Sequence, residues 1–303
     1  MRFGIDLGGT KIEIAVLAAS GEIVLRERTP NPRSRYEDTV AAIRDLVRAA
    51  ETKLGVVGTV GVAIPGTLSP KTGLVKNANS TLLIGHKLDA DLAVALGRPV
   101  RLANDANCFA LSEAKDGAAR DASVVFGIIA GTGVGGGVVV KGEIVAGAHS
   151  LAGEWGHNPL PVRDASELPG PECYCGQRGC IEAWCSGPAF EREYRNATGR
   201  TLAAREIAAA AEQGDAPARA ALAALFDRFA RAIATIVNIL DPDVLVVGGG
   251  LSNIGALYRE LPARVAAYAF TPETPVRIVK NLHGDSSGVR GAAWLWREDE
   301  APP

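Results

Sequence analysis

Three times in this chain an apolar, strand-like run stops at a cluster of glycines. Arg2 to Asp6 runs into Leu7-Gly8-Gly9-Thr10-Lys11, Val124 to Ile129 into Gly131-Thr132-Gly133, and Val244 to Val247 into Gly248-Gly249-Gly250. No other feature restricts the fold as much, because a tight glycine turn directly after a buried strand is α/β grammar. After the first turn come Ile12, Ile14, Val16 and Leu17, and then Gly21-Glu22-Ile23-Val24. After the second come Gly137 to Val140, and then Gly142-Glu143-Ile144-Val145. The same tetrapeptide thus returns at almost the same distance from its turn. A second echo pairs Pro99-Val100-Arg101-Leu102 with Pro275-Val276-Arg277-Ile278. Two echoes in the same order predict two copies of one α/β unit.

The 303 residues suffice for two such domains, on a prior of roughly 150 residues each. Helical spacing of Val40, Ile43, Val47 and Ala50 predicts a helix over 38–53 with Asp38 as its N-cap. Cys108 to Ala114 also reads as helical. Leu222, Leu225, Phe226, Phe229, Ile233, Ile236, Val237 and Leu240 predict a long amphipathic helix that ends before Asp241-Pro242. A last helix is expected over 285–296, capped by Asp285 or Ser286, with a frayed tail from Glu298 to Pro303. The predicted division is an N-terminal domain of residues 1–116 and a larger C-terminal domain of 117–285. The terminal segment 286–303 is expected to pack back on the first domain.

Charge excludes some partners. Lys and Arg number 32 against 34 Asp and Glu, a net charge of −2, so there is no basic nucleic-acid footprint and no polybasic membrane patch. Asp6 interrupts any signal-peptide core, and glycines break the most apolar stretch, Val124 to Val140. A soluble, cytoplasmic protein is expected.

Each glycine turn could be a simple hairpin, or its backbone N–H groups could form an anion nest for phosphate. Thr10 and Thr132 add hydroxyls and Lys11 a charge, and Asp6 enters at a strand end where it could hold Mg²⁺. Three turns in a duplicated frame favour a nucleotide site, although no Walker A loop is present. Asn104-Asp105-Ala106-Asn107 lies between a strand and a helix. Asp105 is placed either to cap that helix or to act as a general base. Cys173, Cys175 and Cys180, preceded by Gly153-Glu154-Trp155-Gly156-His157, match a Cys₃His zinc shell, with free or disulfide-linked cysteines as the alternative. Cys108 and Cys185 fall outside this group and read as buried thiols. Glu154 and Glu182 flank the knuckle as surface acids or as ligands for sugar hydroxyls. Asn77 and Asn79 lie in a loop after Pro65-Gly66, where their amides either cap the loop or bind hydroxyls.

Together these motifs resemble the ROK sugar kinases, in family order and over nearly the whole chain: Asp6 to Lys11, Asn104 to Asn107, Gly131 to Gly135, Ala152 to His157, Cys173 to Cys180 with Glu182, and Gly248 to Gly250. The resemblance implies an α/β fold of the actin-like ATPase (ribonuclease H-like) type, with duplicated domains and a cleft between them. It implies ATP with Mg²⁺ as phosphoryl donor and a structural Zn²⁺ on His157, Cys173, Cys175 and Cys180. Asp105 becomes the base that takes the proton of a hexose 6-hydroxyl. Gly66, Asn79, Asn104, Glu154, His157 and Glu182 become sugar contacts, with His157 giving one ring nitrogen to zinc and the other to sugar. Asp6, Gly8, Gly9, Thr10, Lys11, Gly131, Thr132, Gly133, Gly135, Gly249 and Gly250 become nucleotide contacts. A homodimer is the implied assembly.

Within the family the chain is most similar to the bacterial fructokinase branch, through Val75 to Ser80, His157 to Pro161 and His283 to Gly291. D-fructose is therefore the expected substrate, with N-acetylglucosamine, glucose or mannose as alternatives. A sugar-sensing regulator is the other class of reading. Relatives of that kind carry an N-terminal helix-turn-helix, and here the first phosphate strand already begins at Arg2.

Overall fold

The computed structural model describes residues 1–78, 81–270, 276–297 and 300. Contacts divide the chain into two units. One holds Met1–Arg120 with Gly142–Ala152 and the segment from Asp285 onward, and the other holds Asp121–Lys141 with Gly153–Gly284. In chain order the elements begin with β1 (Arg2–Leu7), β2 (Lys11–Leu17), β3 (Ile23–Pro30), α1 (Tyr36–Leu54) and β4 (Thr59–Ile64). Next come a short ribbon of β5 (Thr67–Leu68) and β6 (Val75–Lys76), then α2 (Leu88–Leu96), β7 (Val100–Asn104) and α3 (Asp105–Lys115). The second half starts with β8 (Val124–Ala130), β9 (Val134–Val140) and β10 (Glu143–Ile144). Helices α4 (Ile181–Cys185), α5 (Gly187–Thr198), α6 (Ala204–Glu212) and α7 (Ala216–Leu240) follow. The chain closes with β11 (Val244–Gly248), α8 (Ala256–Tyr268), β12 (Ile278–Lys280) and α9 (Ser287–Ala293).

The first sheet runs β3-β2-β1-β4-β7, antiparallel through the β1–β2–β3 meander and parallel through β1, β4 and β7. In the second sheet β9-β8-β11-β12 repeats that plan, with β8–β9 antiparallel and β8–β11–β12 parallel. The sequence echoes fall on matching places. The Gly-Glu-Ile-Val copies lead into β3 and β10, and the Pro-Val-Arg copies lead into β7 and β12.

Period-two alternation sorts the first sheet's faces. Phe3, Ile5 and Leu7 of β1 pack with Ile43 and Val47 of α1 and with Leu88 and Leu92 of α2, all buried. The alternate positions turn to α9. A Cβ on Gly4 would stand 2.0 Å from the Val289 carbonyl oxygen, and one on Gly61 would stand 1.9 Å from that of Ala292. Only glycine lets this helix lie directly on the strands. Ser287 donates to the buried Glu113 at 2.8 Å, and Arg290 donates to Gly21 O at 2.8 Å and to Asp116. The second unit has its own core, in which Phe126 meets Trp155 edge-on at 5.8 Å and both pack with Phe226 and Phe229 of α7.

Several expectations shift. Helix α1 starts at Tyr36 with Arg35 in the N-cap position. Asp38 lies in the first turn, where Ser34 and Arg35 donate to it and the helix dipole favours its charge. The terminal helix is shorter than 285–296, because Trp294 and Trp296 leave helical geometry to donate to Asp116 and to Val60 O. Glu300 lies within the expected frayed tail, yet it pairs with Arg101 through two hydrogen bonds of 2.7 and 2.6 Å. The other residues of that tail, 298, 299 and 301–303, lie outside the described residues. Residues 142–152, read from sequence as part of the second domain, belong to the first unit. Lys76 donates to His149 O at 2.8 Å there, and Arg297 pairs with Glu143 at 3.1 Å. Among the described residues no helix is long and apolar enough to cross a membrane.

Substituting Gly61→Ala forces a methyl against a backbone carbonyl that cannot rotate away. We expect a loss of about 1–3 kcal/mol in stability, read as a lower melting temperature. An unchanged melting temperature would show that α9 does not lie on β4 as described.

Candidate active site

In the first unit the chemistry gathers where parallel strands end. Asp6 stands at the end of β1, and Asn104 and Asp105 at the end of β7. Asn104 is the N-cap of α3. Its Oδ1 accepts from Ala106 N at 2.9 Å, and its Nδ2 donates to Gly66 O at 3.2 Å. Asp105 Oδ1 shares the Ala106 N–H at 2.8 Å, so the two side chains cap the helix together. The Asp105 residue is exposed at the helix start. The Asp6 carboxyl is pushed up from 3.8 to about 6, first by burial and then by the Asp105 and Glu13 carboxylates, against the pull of Lys11 and Arg28. Such a crowd of acids is what a divalent cation relieves, so Asp6 fits a Mg²⁺-facing role. Buried Glu13 takes Arg26 and Arg28, each at 2.5 Å.

The turn at 8–10 is clasped by Asn31, whose backbone N–H donates to Thr10 O at 3.0 Å and whose Nδ2 donates to Gly8 O at 2.9 Å. Sequence reading missed Asn31. Its signal was an Asn-Pro pair directly after the β3 strand pattern. Gly9 and Lys11 stay exposed beside the turn. Gly66 adopts φ 113°, and a side chain there would strike Lys76 O at 2.6 Å. Asn79, expected as a sugar contact, lies outside the described residues. Asn77 takes a left-handed φ of 55° at the bend after β6.

In the second unit two glycine turns come together, since a Cβ on Gly131 would stand 3.7 Å from Gly250 N. Gly249 (φ 80°) lies against Ala130, and its carbonyl accepts from the Ser252 hydroxyl at 2.7 Å. Gly131 N donates to Gly133 O at 2.9 Å and closes the turn. Gly135, expected in the phosphate set, is part of β9, and its carbonyl accepts from the Trp155 indole at 2.9 Å. Its role is packing as well as turn geometry.

Around this turn sits the knuckle. The Sγ atoms of Cys173, Cys175 and Cys180 and a ring nitrogen of His157 lie within 4.8 Å of one another. Cys175 and Cys180 Sγ are 3.6 Å apart, and Cys173 Sγ is 3.6 Å from His157 Nδ1. A zinc tetrahedron with bonds of about 2.0–2.3 Å has edges of about that length, so the four residues fit Zn²⁺. Gly176 and Gly179 take positive φ (88° and 71°) to turn the loop back. Nδ1 faces the thiols, so a metal bound there would leave the His157 proton on Nε2, which has the Tyr174 hydroxyl at 3.0 Å. Tyr174 was not among the expected residues. The nitrogen assigned to sugar thus has a protein partner in this state. Glu154 is exposed, just before the turn of helix that carries His157. Glu182 Oε2 accepts from Val134 N at 2.9 Å.

Strand-end carboxylates in the first unit, and paired glycine turns with a Cys₃His knuckle in the second, stand on a duplicated α/β frame. The ROK family pattern matches residues 2–299, and the chain belongs to the ROK family. It is a sugar kinase of that family, a phosphotransferase with an alcohol group as acceptor. An N-acetyl-D-glucosamine kinase of Yersinia pseudotuberculosis is 44% identical over 300 residues, covering 97% of this chain and 98% of that one. The fold is close to that of a ROK hexokinase from Thermus thermophilus, with a TM-score of 0.85, 31% identity and coverage of 97% and 96%. A ROK family glucokinase from Streptomyces griseus, solved with glucose and AMPPNP, matches with a TM-score of 0.76, 29% identity and coverage of 98% and 99%. The fold is accordingly of the actin-like ATPase type.

Two outcomes check the site. Purified protein should carry one zinc per chain by elemental analysis, and Cys175→Ser should lose it together with thermal stability. A metal-free, fully stable protein would refute the knuckle. For Asp6, the folded-state value near 6 lies above the ordinary 3.8. The neutral acid is therefore favoured in the fold, and its contribution is lost as pH rises through about 6. In metal-free buffer Asp6→Asn should gain stability over wild type between pH 4 and 6 and hold a gain of up to about 3 kcal/mol above it. A gain independent of pH would contradict this.

Proposed function

We propose that the protein transfers the γ-phosphoryl group of ATP to the 6-hydroxyl of a free hexose, with N-acetyl-D-glucosamine as the substrate. The observation that carries the reaction is Asp105, an exposed carboxylate at a strand end that shares the Ala106 N–H with Asn104. The relatives support the choice of sugar, being named for that kinase at 42–44% identity over 300 residues or more. D-Fructose is the second reading, favoured by the fructokinase-like segments. One of those segments, however, is spent on packing: within 283–291, Ser287 holds Glu113 and Arg290 holds Asp116.

Asp105 accepts the proton of the 6-hydroxyl as that oxygen bonds to the γ-phosphorus and the bond to the β-phosphate oxygen breaks, releasing ADP. Asn104 holds the strand end that presents Asp105 and offers its amide to a neighbouring hydroxyl. Glu154, His157 and Glu182 bind the remaining hydroxyls, and a sugar oxygen replaces or joins Tyr174 at His157 Nε2. Backbone N–H groups of the turns at 8–11, 131–133 and 249–250 hold phosphate oxygens, and the Asp6 carboxylate faces the metal that accompanies them. Mg²⁺, when bound with the nucleotide, neutralises the phosphate charge that develops during transfer. Zinc, when bound, fixes the knuckle that carries His157.

A coupled ADP-release assay with MgATP and N-acetylglucosamine, fructose, glucose and mannose tests the reading. N-acetylglucosamine should give the highest kcat/KM. Fructose in first place would reverse the choice of sugar and leave the reaction intact, whereas no stimulation by any sugar would overturn the reaction itself. Asp105→Asn should lower kcat by about 10²–10⁴-fold with sugar binding retained.

A further inference from the structure

We propose that Glu182 is a positioning residue for the nucleotide, setting the phosphate turn from the sugar side through its bond to Val134. The inference rests on the reading that Glu182 binds sugar and that the turn at 131–133 holds phosphate.

The bond is short and specific. Glu182 Oε2 lies 2.9 Å from Val134 N, the amide at which the turn re-enters β9. The approach requires glycine next door, since a Cβ on Gly133 would meet the same oxygen at 2.5 Å. The other side of the turn is held by the same stretch of chain. Gly187 N, at the start of α5, donates to Gly131 O at 2.8 Å. Residues 182 and 187 therefore grip the turn at both ends, one through a charged acceptor and one through a backbone donor. This stretch leaves the knuckle directly. Cys180 immediately precedes α4, and Ile181 N donates to Asn158 O at 2.9 Å beside His157.

The chemical consequence lies in which N–H groups remain for phosphate. A carboxylate bound to one amide of an anion nest takes that amide out of the nest and fixes the orientation of the rest. The γ-phosphate must then register on the amides before Val134. A sugar hydroxyl that donates to Oε1 fixes the carboxylate and, through Oε2, the turn, so sugar and nucleotide should tighten each other's binding to the same extent. This gives Glu182 one oxygen for each substrate.

The test is calorimetric titration of AMPPNP with Mg²⁺ into wild type, Glu182→Ala and Glu182→Gln, each with and without the sugar identified by the activity assay. Zinc content and melting temperature are measured on each protein. Without sugar, Glu182→Ala should bind AMPPNP about tenfold more weakly, the size of one lost hydrogen bond to a charged group. Glu182→Gln keeps an acceptor for Val134 N–H and should stay within about threefold of wild type, while sugar KM rises in both variants. Mutual tightening should be present in wild type and absent in Glu182→Ala. A purely structural role predicts lost zinc and a lower melting temperature in step with weaker binding, and no rescue by glutamine. Unchanged or tighter AMPPNP binding by Glu182→Ala overturns the proposal, as does glutamine binding as weakly as alanine. If Glu182→Ala does not fold, amide exchange on the wild type reads the same bond. Protection at Val134 supports it, and exchange as fast as a free peptide overturns it. The two readings fail differently: wild type that binds no AMPPNP overturns the phosphate turn and this inference together. Wild type that binds AMPPNP and phosphorylates sugar, with Glu182→Ala unaffected, overturns only the inference.

Discussion

Parallel pairing forces strand ends into line, and in each unit the chemistry sits on that line. In the first sheet Asp6 of β1 is in register with Ala63 of β4, and Asn104 of β7 with Ile64. In the second, Gly248 of β11 is in register with Ile129 of β8. Strands that run together release their chains at one edge, where side chains and turn amides can face a ligand. Asp6, Asn104 and Asp105 occupy this edge in one unit, and the turns at 131 and 249 occupy it in the other. Elsewhere the strands alternate between apolar residues for the core and glycines for close approach, as Phe3-Gly4-Ile5 shows.

That edge is costly in charge. Burial, and then the Asp105 and Glu13 carboxylates, hold the Asp6 carboxyl well above its usual range. Glu13 is balanced by two arginines, and Lys11 and Arg28 offset the environment of Asp6 only in part. A carboxyl in this condition is one that a nearby cation would relieve, as the proposed function requires of Asp6.

The duplication was legible because it is written in contiguous residues. Glycine turns, the Gly-Glu-Ile-Val echoes and the Pro-Val-Arg echoes all mark strand ends, and strand ends depend on local backbone geometry. The Cys₃His group was legible because metal geometry demands fixed side-chain types at short spacing. Asn31, Tyr174 and the Glu182–Val134 bond were not, since each depends on a long-range approach that no local pattern encodes: Asn31 reaches back 23 residues to Gly8, and Glu182 reaches back 48 to Val134. The placement of 142–152 was hidden for the same reason, because a strand echo predicts pairing but not which neighbours its loop will touch. Within the fructokinase-like stretch at 283–291, Ser287 and Arg290 are buried against Glu113 and Asp116, an approach across more than 170 residues that no local pattern encodes.

The knuckle loop has no hydrophobic core of its own, and a metal would supply what such a core supplies elsewhere. Between Pro171 and Gly179 the side chains are partly or fully exposed, and none is a buried apolar residue. Area burial can therefore contribute little to the order of this stretch, and its backbone entropy must be offset another way. A metal held by the four atoms within 4.8 Å of one another would provide that offset locally. The stretch is also anchored away from the metal site, since buried Arg231 on α7 holds Glu167 through two bonds of 2.8 and 2.7 Å and reaches the Pro161 carbonyl. Order imposed at the cysteines then passes along a few bonds only, through Ile181 and Glu182 to the glycine turn. A loop held by a core would spread the same constraint over many soft contacts. One held by ligands would deliver it to a single carboxylate, Glu182, which holds the glycine turn at Val134 N.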